Sequence, residues 1–240
     1  MNLPSFPNID LFSAGINALN GILVARHPSH NRGYTAAGLL IMAFFGGIGG
    51  GVTRDVLLNQ IPSPLKDSRY FFVCLLMGLL GLAIYRYADS KEEHFRTRTL
   101  AYFKSFTLPW FAILGAHKAL EADLGIYAAI LIGLAATTAG GVFIDLFSGV
   151  TPEIVRPSQH LVTTAVLAST VYTAIAILGK GSVSFFPITL ISVLVAFIFR
   201  VLAVREHWAQ IVPLNAPAEG PEIVPLAAPT ASPVALRKTV

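Results

Sequence analysis

Seven long apolar runs, near residues 10–26, 35–58, 70–88, 106–121, 126–147, 159–179 and 185–204, are joined by short polar connections. A run of about 20 apolar residues is the length of a helix that crosses the roughly 30 Å hydrocarbon core of a bilayer. Lipid offers no hydrogen bonds to a bare backbone, so only helices or closed barrels are stable there. With 54% hydrophobic residues, 12% charged residues and a mean hydropathy of +0.66, the chain reads as an all-α membrane protein with seven transmembrane helices. The fourth run, FTLPWFAILGAHKALEADL, is the weakest because it carries Pro109, His117 and Lys118. It is kept because its loss would put the flanking loops on the wrong sides of the membrane.

A pI near 9.3 could mark a nucleic-acid binder, but the basic residues are spread over loops between apolar runs, which makes them topology signals. With the amino terminus outside, Arg26, Arg32, Arg86, Lys91, Arg96, Arg98, Lys104, Arg156, Arg200, Arg205, Arg237 and Lys238 fall on the inner face. Lys66, Arg69 and Lys180 fall outside, and Arg54 and Lys118 lie within spans. That asymmetry puts the carboxyl terminus in the cytoplasm. The opening MNLPSFPNIDLF lacks the basic start and cleavage site of a removable signal peptide, so the first run is expected to stay in the mature protein. The single cysteine, Cys74, excludes an intrachain disulfide and a thiolate metal cluster and reads as a small core residue.

One stretch occurs twice. GGVTRDVLLNQIP at Gly50–Pro62 aligns without a gap to GGVFIDLFSGVTP at Gly140–Pro152, a constant offset of 90 residues, with Arg54 opposite Ile144. Each unit holds three spans, an odd number, so the second copy is expected to enter the membrane upside down. Repeat one covers about 9–88, repeat two about 106–179, and the seventh helix, about 185–204, is an addition. Residues 206–240, rich in Pro and Ala and without periodicity, are expected to form a disordered cytoplasmic tail.

The first copy is preceded by more glycine, FFGGIGGGVTRDVLL at Phe44–Leu58, and this lies at membrane depth. Each glycine weakens a helix by about 1 kcal/mol relative to alanine. One reading is that the second and fifth helices break here, exposing backbone to a polar pathway. The other is that small residues let helices pack closely. Arg54 is costly within a span and is expected to line or control a pathway, the alternative being a structural pair with Asp55 or Asp145. His117, Lys118, Thr137 and Thr138 are further pore-lining candidates. The threonines can instead bond back to their own helix, and Lys118 can snorkel outward beside Glu121 and Asp123. No nucleophile elbow, metal-ligand cluster or phosphate loop is present, since GGIGGG lacks the following Lys-Ser/Thr, so an enzyme is not expected.

GGGVTRD on the second span, GGVFID on the fifth, two three-span units and an extra seventh span resemble the trimeric intracellular cation channel family, in particular its prokaryotic branch. The resemblance covers about residues 9–205. A related group of duplicated membrane proteins, associated with glycine or other small solutes, shares the Gly-Gly-Gly-x-x-Arg-Asp pattern. Those transporters tend to carry Arg-Asp in both halves, whereas Ile144 precedes Asp145 here, which tilts the reading toward the channel. The resemblance implies a homotrimer in a lipid bilayer, without nucleic acid, each subunit holding its own pore between the repeats. It implies no cofactor, potassium and sodium as permeant ions, bound lipid, and a prokaryotic cytoplasmic membrane. The pore-hinge roles fall to Gly49, Gly50, Gly51, Arg54 and Asp55 in one half and Gly140, Gly141 and Asp145 in the other, with Gly50 and Gly141 expected to respond alike to substitution.

A Pro/Ala-rich tail cannot bury much apolar area. Removal of residues 212–240 should therefore leave the assembled protein intact on size-exclusion chromatography in detergent, and loss of assembly would show that the tail packs.

Overall fold

The computed structural model describes residues 6–25, 33–87, 93–155, 160–179 and 184–206, excluding the side chains at 85–87, 93–104 and 204. The expected tail, from residue 207 onward, lies outside the described residues, as do Arg26, Arg32, Lys91, Arg156, Lys180, Arg237 and Lys238 of the topology count.

The apolar runs become long helices: α1 (Phe6–Ala25), α2 (Ala36–Leu57), α4 (Arg69–Tyr87), α5 (Glu93–Glu121), α6 (Ile126–Phe147), α7 (Leu161–Leu178) and α8 (Phe185–Arg205). A four-residue helix, α3 (Ser63–Lys66), and a 3-10 turn at Glu153–Val155 lie in the connections. Among the described residues there is no strand. Five helices, α1, α2, α6, α7 and α8, are long and apolar enough to cross a membrane by length and composition, and α4 carries a shorter apolar stretch, Arg69–Ile84. The longest, α5, runs through Pro109 and starts on polar residues. Large apolar side chains stay exposed along α4 (Phe71, Phe72, Leu76, Leu79) and α8 (Leu190, Ile191, Leu194, Ile198), surfaces that suit lipid rather than water.

The duplication is visible in backbone detail. The N–H of Gln60 bonds the carbonyl of Asp55 at 2.8 Å, and the N–H of Val150 bonds that of Asp145 at 3.0 Å. Both turns reverse through a left-handed residue, Asn59 (φ 52°) and Gly149 (φ 70°), which terminates the helix. α2 also has a built start, since the Thr35 side chain accepts the Gly38 N–H at 3.0 Å. Between α1 and α2, Gly21 abuts Met42 and Ala43; between α5 and α6, Gly115 abuts Ile132 and Gly133.

α2 and α6 pack antiparallel. Tyr34, before α2, donates its hydroxyl proton to Ser148 Oγ, after α6, at 2.6 Å. Phe45 stacks on Phe147 at 4.7 Å, Gly49 meets Gly140 and Phe143, and Gly50 meets Ala136, so one numbering rises as the other falls.

The expected break at the glycines is not there, because α2 and α6 run continuously through them. What the glycines supply is proximity. A Cβ at Gly50 would collide with the Ala136 carbonyl oxygen, and one at Gly140 would sit 3.0 and 3.1 Å from the carbonyl oxygens of Phe45 and Gly46. Gly141 has nothing within 4 Å of its Cβ position, so it is not the equivalent of Gly50. The 90-residue offset pairs Gly50 with Gly140, and the expectation that Gly50 and Gly141 respond alike is corrected accordingly. Cys74 is buried beside Ala18, Ile22 and Ala43, as a core residue.

Gly50→Ala should therefore destabilise the protein by about 1–3 kcal/mol through overpacking, whereas Gly141→Ala should be neutral or stabilise by up to about 1 kcal/mol through helix propensity. Thermal melting in detergent checks the order, and a reversed order would show that the crossing does not depend on Gly50.

Candidate functional site

Among the described residues, two polar regions of this apolar bundle hold the expected site residues. The first is an ion-pair cluster where α2 ends. Arg54 is completely buried and forks onto Asp10 of α1, with Nη1 to Oδ1 and Nη2 to Oδ2 both 3.0 Å, while its Nε donates to Asp55 Oδ1 at 2.8 Å. Tyr70 of α4 donates its hydroxyl proton to Asp10 Oδ2 at 2.8 Å. Lys118 of α5 donates to Asp55 Oδ1 at 2.8 Å and to Ser63 Oγ at 3.0 Å. Ser63 in turn donates its N–H and hydroxyl to Asp55 Oδ2 at 2.7 and 2.9 Å. Two carboxylates thus balance two cations, which is what an ionic group needs at a depth where each unpaired charge is expensive. The Phe6 ring covers the cluster, 5.5 Å from Arg54 Cζ and 5.4 Å from Lys118 Nζ.

Next to it, Tyr172 Oη lies 2.7 Å from His117 Nδ1, and His117 Nε2 lies 3.2 Å from Glu121 Oε1. A neutral ring protonated on Nε2 satisfies both contacts. In the exposed connection before α4, the Arg69 guanidinium bonds Asp67 and holds its carboxyl below the ordinary aspartate value.

The second region is a cleft of about 60 Å³ between α1, α2, α5 and α6, continuing to Glu153, Ile154 and Leu161. Asn17 and Asn20 line it from α1, Gly46 and Gly50 from α2, and Thr137, Thr138, Gly140, Gly141 and Asp145 from α6. Among the described residues, no lysine or arginine lines it. Asp145 Oδ2 accepts the Glu153 N–H at 2.8 Å, the counterpart of Asp55 and Ser63 in the other half.

The structure therefore divides the expected residues. Gly50, Gly140, Gly141, Asp145, Thr137 and Thr138 line the cleft. Arg54, Asp55 and Lys118 form the ion-pair cluster, with His117 beside it, and none of these four lines the cleft. Gly49 lies at the helix crossing and Gly51 against Arg54. Arg54 pairs with Asp55, one of its two anticipated partners, and not with Asp145; its main partner, Asp10, was not anticipated. Both threonine hydroxyls bond back to their own helix and line the cleft as well. Lys118 is held inward by Asp55 rather than snorkelling.

Reasoning from sequence missed Asp10, Tyr70, Ser63, Asn17, Asn20 and Glu153. Asp10, a charge at the edge of an apolar run, was the one available signal. Arg200, counted as an inner-loop cation, is instead fully buried in α8, its Nε donating to Ser105 Oγ at 3.1 Å.

Removing one member of a buried pair strands the other, at a cost of about 3–5 kcal/mol. Asp10→Ala should thus lower thermal stability in detergent far more than Tyr70→Phe, which removes one hydrogen bond to a charge worth about 1.5–3 kcal/mol. Adding Arg54→Leu to Asp10→Ala should restore part of the loss. Equal melting of Asp10→Ala and wild type would show that the cluster does not hold the fold.

Comparison with known proteins places this architecture. A family model described as glycine transporter matches residues 8–86 and 101–176, one segment in each half. A UPF0126 membrane protein of Deinococcus radiodurans is 30% identical over 161 residues, 67% of this chain and 71% of that protein. The inner membrane protein YadS of Escherichia coli K12, also UPF0126, is 23% identical over 200 residues, 83% of this chain and 91% of that protein. Among solved structures, the trimeric intracellular cation channel orthologue from Rhodobacter sphaeroides superposes with a TM-score of 0.72 at 25% identity, covering 85% of this chain and 98% of that one. That neighbour is an ion channel and not an enzyme, and this chain is likewise an all-helical membrane protein. Matched in both halves by one family model and along most of its length by a solved channel, the chain belongs to the glycine transporter family and shares the fold of the trimeric intracellular cation channels.

Proposed function

We propose that the chain is a passive channel for monovalent cations, potassium foremost and sodium also, conducting through each subunit of a homotrimer. In this reading seven helices span the inner membrane, with the amino terminus outside and the carboxyl terminus in the cytoplasm, and lipid fills the grooves between subunits. The two halves are inverted repeats, a reading supported by the antiparallel packing of α2 on α6 and by the matching turns at Asp55 and Asp145.

The observation that carries the function is the cleft: a partly polar space at the interface of the halves, with Asp145 and Glu153 in its lining and, among the described residues, no lysine or arginine along it. Such a lining attracts cations and repels anions. The path continues past the α2–α6 crossing to the ion-pair cluster, where the Lys118–Asp55 contact is the obstacle. Arg54 is no barrier to a cation path, because Asp10 and Asp55 neutralise it.

A second reading, a transporter of glycine or another small solute, is supported by the description of the matching family model. Reconstitution into planar bilayers separates the two. Unitary current steps in potassium salt, with a reversal potential set by potassium rather than chloride, are the expected result; saturable glycine uptake into vesicles without unitary currents would establish the transporter instead.

A further inference from the structure

The hydrogen-bonding state of the cleft says more than its outline. Thr137 spends its hydroxyl proton on the Gly133 carbonyl at 2.8 Å, and Thr138 spends its own on Leu134 at 2.9 Å. A hydroxyl has one proton and two lone pairs, so each oxygen is left able only to accept. Asn17 directs its Nδ2 to the Ser13 carbonyl at 3.0 Å, away from that role. Asn20 Oδ1 is buried and has no hydrogen-bond partner. In an apolar bundle an orphaned acceptor is a net cost unless something fills its place.

From this we infer that the cleft holds a coordination site for a partly dehydrated monovalent alkali cation, with Asn20 Oδ1, Thr137 Oγ1, Thr138 Oγ1 and Asn17 Oδ1 as neutral oxygen ligands. The chemistry fits that class of ligand. Neutral oxygens can replace part of the hydration shell of an alkali ion, whereas calcium and magnesium draw on carboxylates in their first shell. A volume of about 60 Å³ holds an ion with a few waters. Asp145 and Glu153 line the same cleft. The inference rests on the cleft being part of a cation path and adds to it which atoms the cation touches.

The test is thermal melting of the full-length protein in detergent, in 0.5 M potassium chloride against choline chloride at equal ionic strength. A ligand that binds only the folded state raises stability by mass action, and for a weak site in a chain of this size the expected gain is about 2–4 °C in potassium. Asn20→Leu combined with Thr137→Val should abolish that gain, and Asn20→Asp, which keeps an acceptor at the same place, should retain it. No potassium-specific gain in wild type, or an equal gain in wild type and the double variant, overturns the site. If the double variant does not fold, the single Thr137→Val, nearly isosteric, decides: a gain undiminished from wild type overturns the site and a smaller one supports it. Failure of the channel reading is separate, since it would appear as an absence of unitary currents while the potassium-specific gain persisted.

Discussion

The bundle depends on the close crossing of α2 and α6. Where Gly50 faces the Ala136 carbonyl and Gly140 faces those of Phe45 and Gly46, there is no room for a side chain on either helix. Between lipid-soluble helices no hydrophobic force drives association, so the contact has to come from packing at short range, which small residues permit. Two neighbouring helices are seated in the same way. α1 lies on α2 through Gly21, α5 lies on α6 through Gly115, and the cleft is the space left beside the crossing. Glycine here contributes absence of bulk rather than flexibility, which is why both helices stay continuous through sequences with poor helix propensity.

Two halves built alike have been given different chemistry. In the first, Arg54 at the end of α2 and Lys118 on α5 share Asp55. At the matching places of the other half stand Ile144, by the 90-residue offset, and Val24, by the spacing that relates Gly21 to Gly115; both belong to one apolar cluster with Leu39 and Met42. The first half thus places paired charges where the second places apolar side chains. Charges that attract at close range can separate and re-form in response to potential or to ions, whereas an apolar contact responds mainly to packing.

The cleft shows how backbone and side chains together set polarity. Threonines on a membrane helix lower their cost by donating to the carbonyl four residues earlier, and in doing so they leave only acceptors facing outward. In the proposed cation site, the local requirement of the helix thereby favours positive charge in the space between helices.

Much of this was legible in the sequence, and for a physical reason: lipid enforces helices of a fixed length, so apolar runs translate into α1, α2, α4, α6, α7 and α8 with little ambiguity, and a gapless repeat translates into equal turns at Asp55 and Asp145. The special character of Arg54 was also legible, since an ionised group in an apolar run demands a partner. Which partner was not. Asp10 is 44 positions away, and only the packing of α1 on α2 brings the two together. The same limit explains the glycines, whose sequence is equally compatible with a break and with a tight crossing. The choice between them was made by Ala136 and Phe45 on facing helices, residues that nothing in the local sequence connects to Gly50 or Gly140. Sequence determined the elements and their repetition because these depend on solvent and on near neighbours; tertiary structure decided the pairings and the cleft because these depend on which distant surfaces meet.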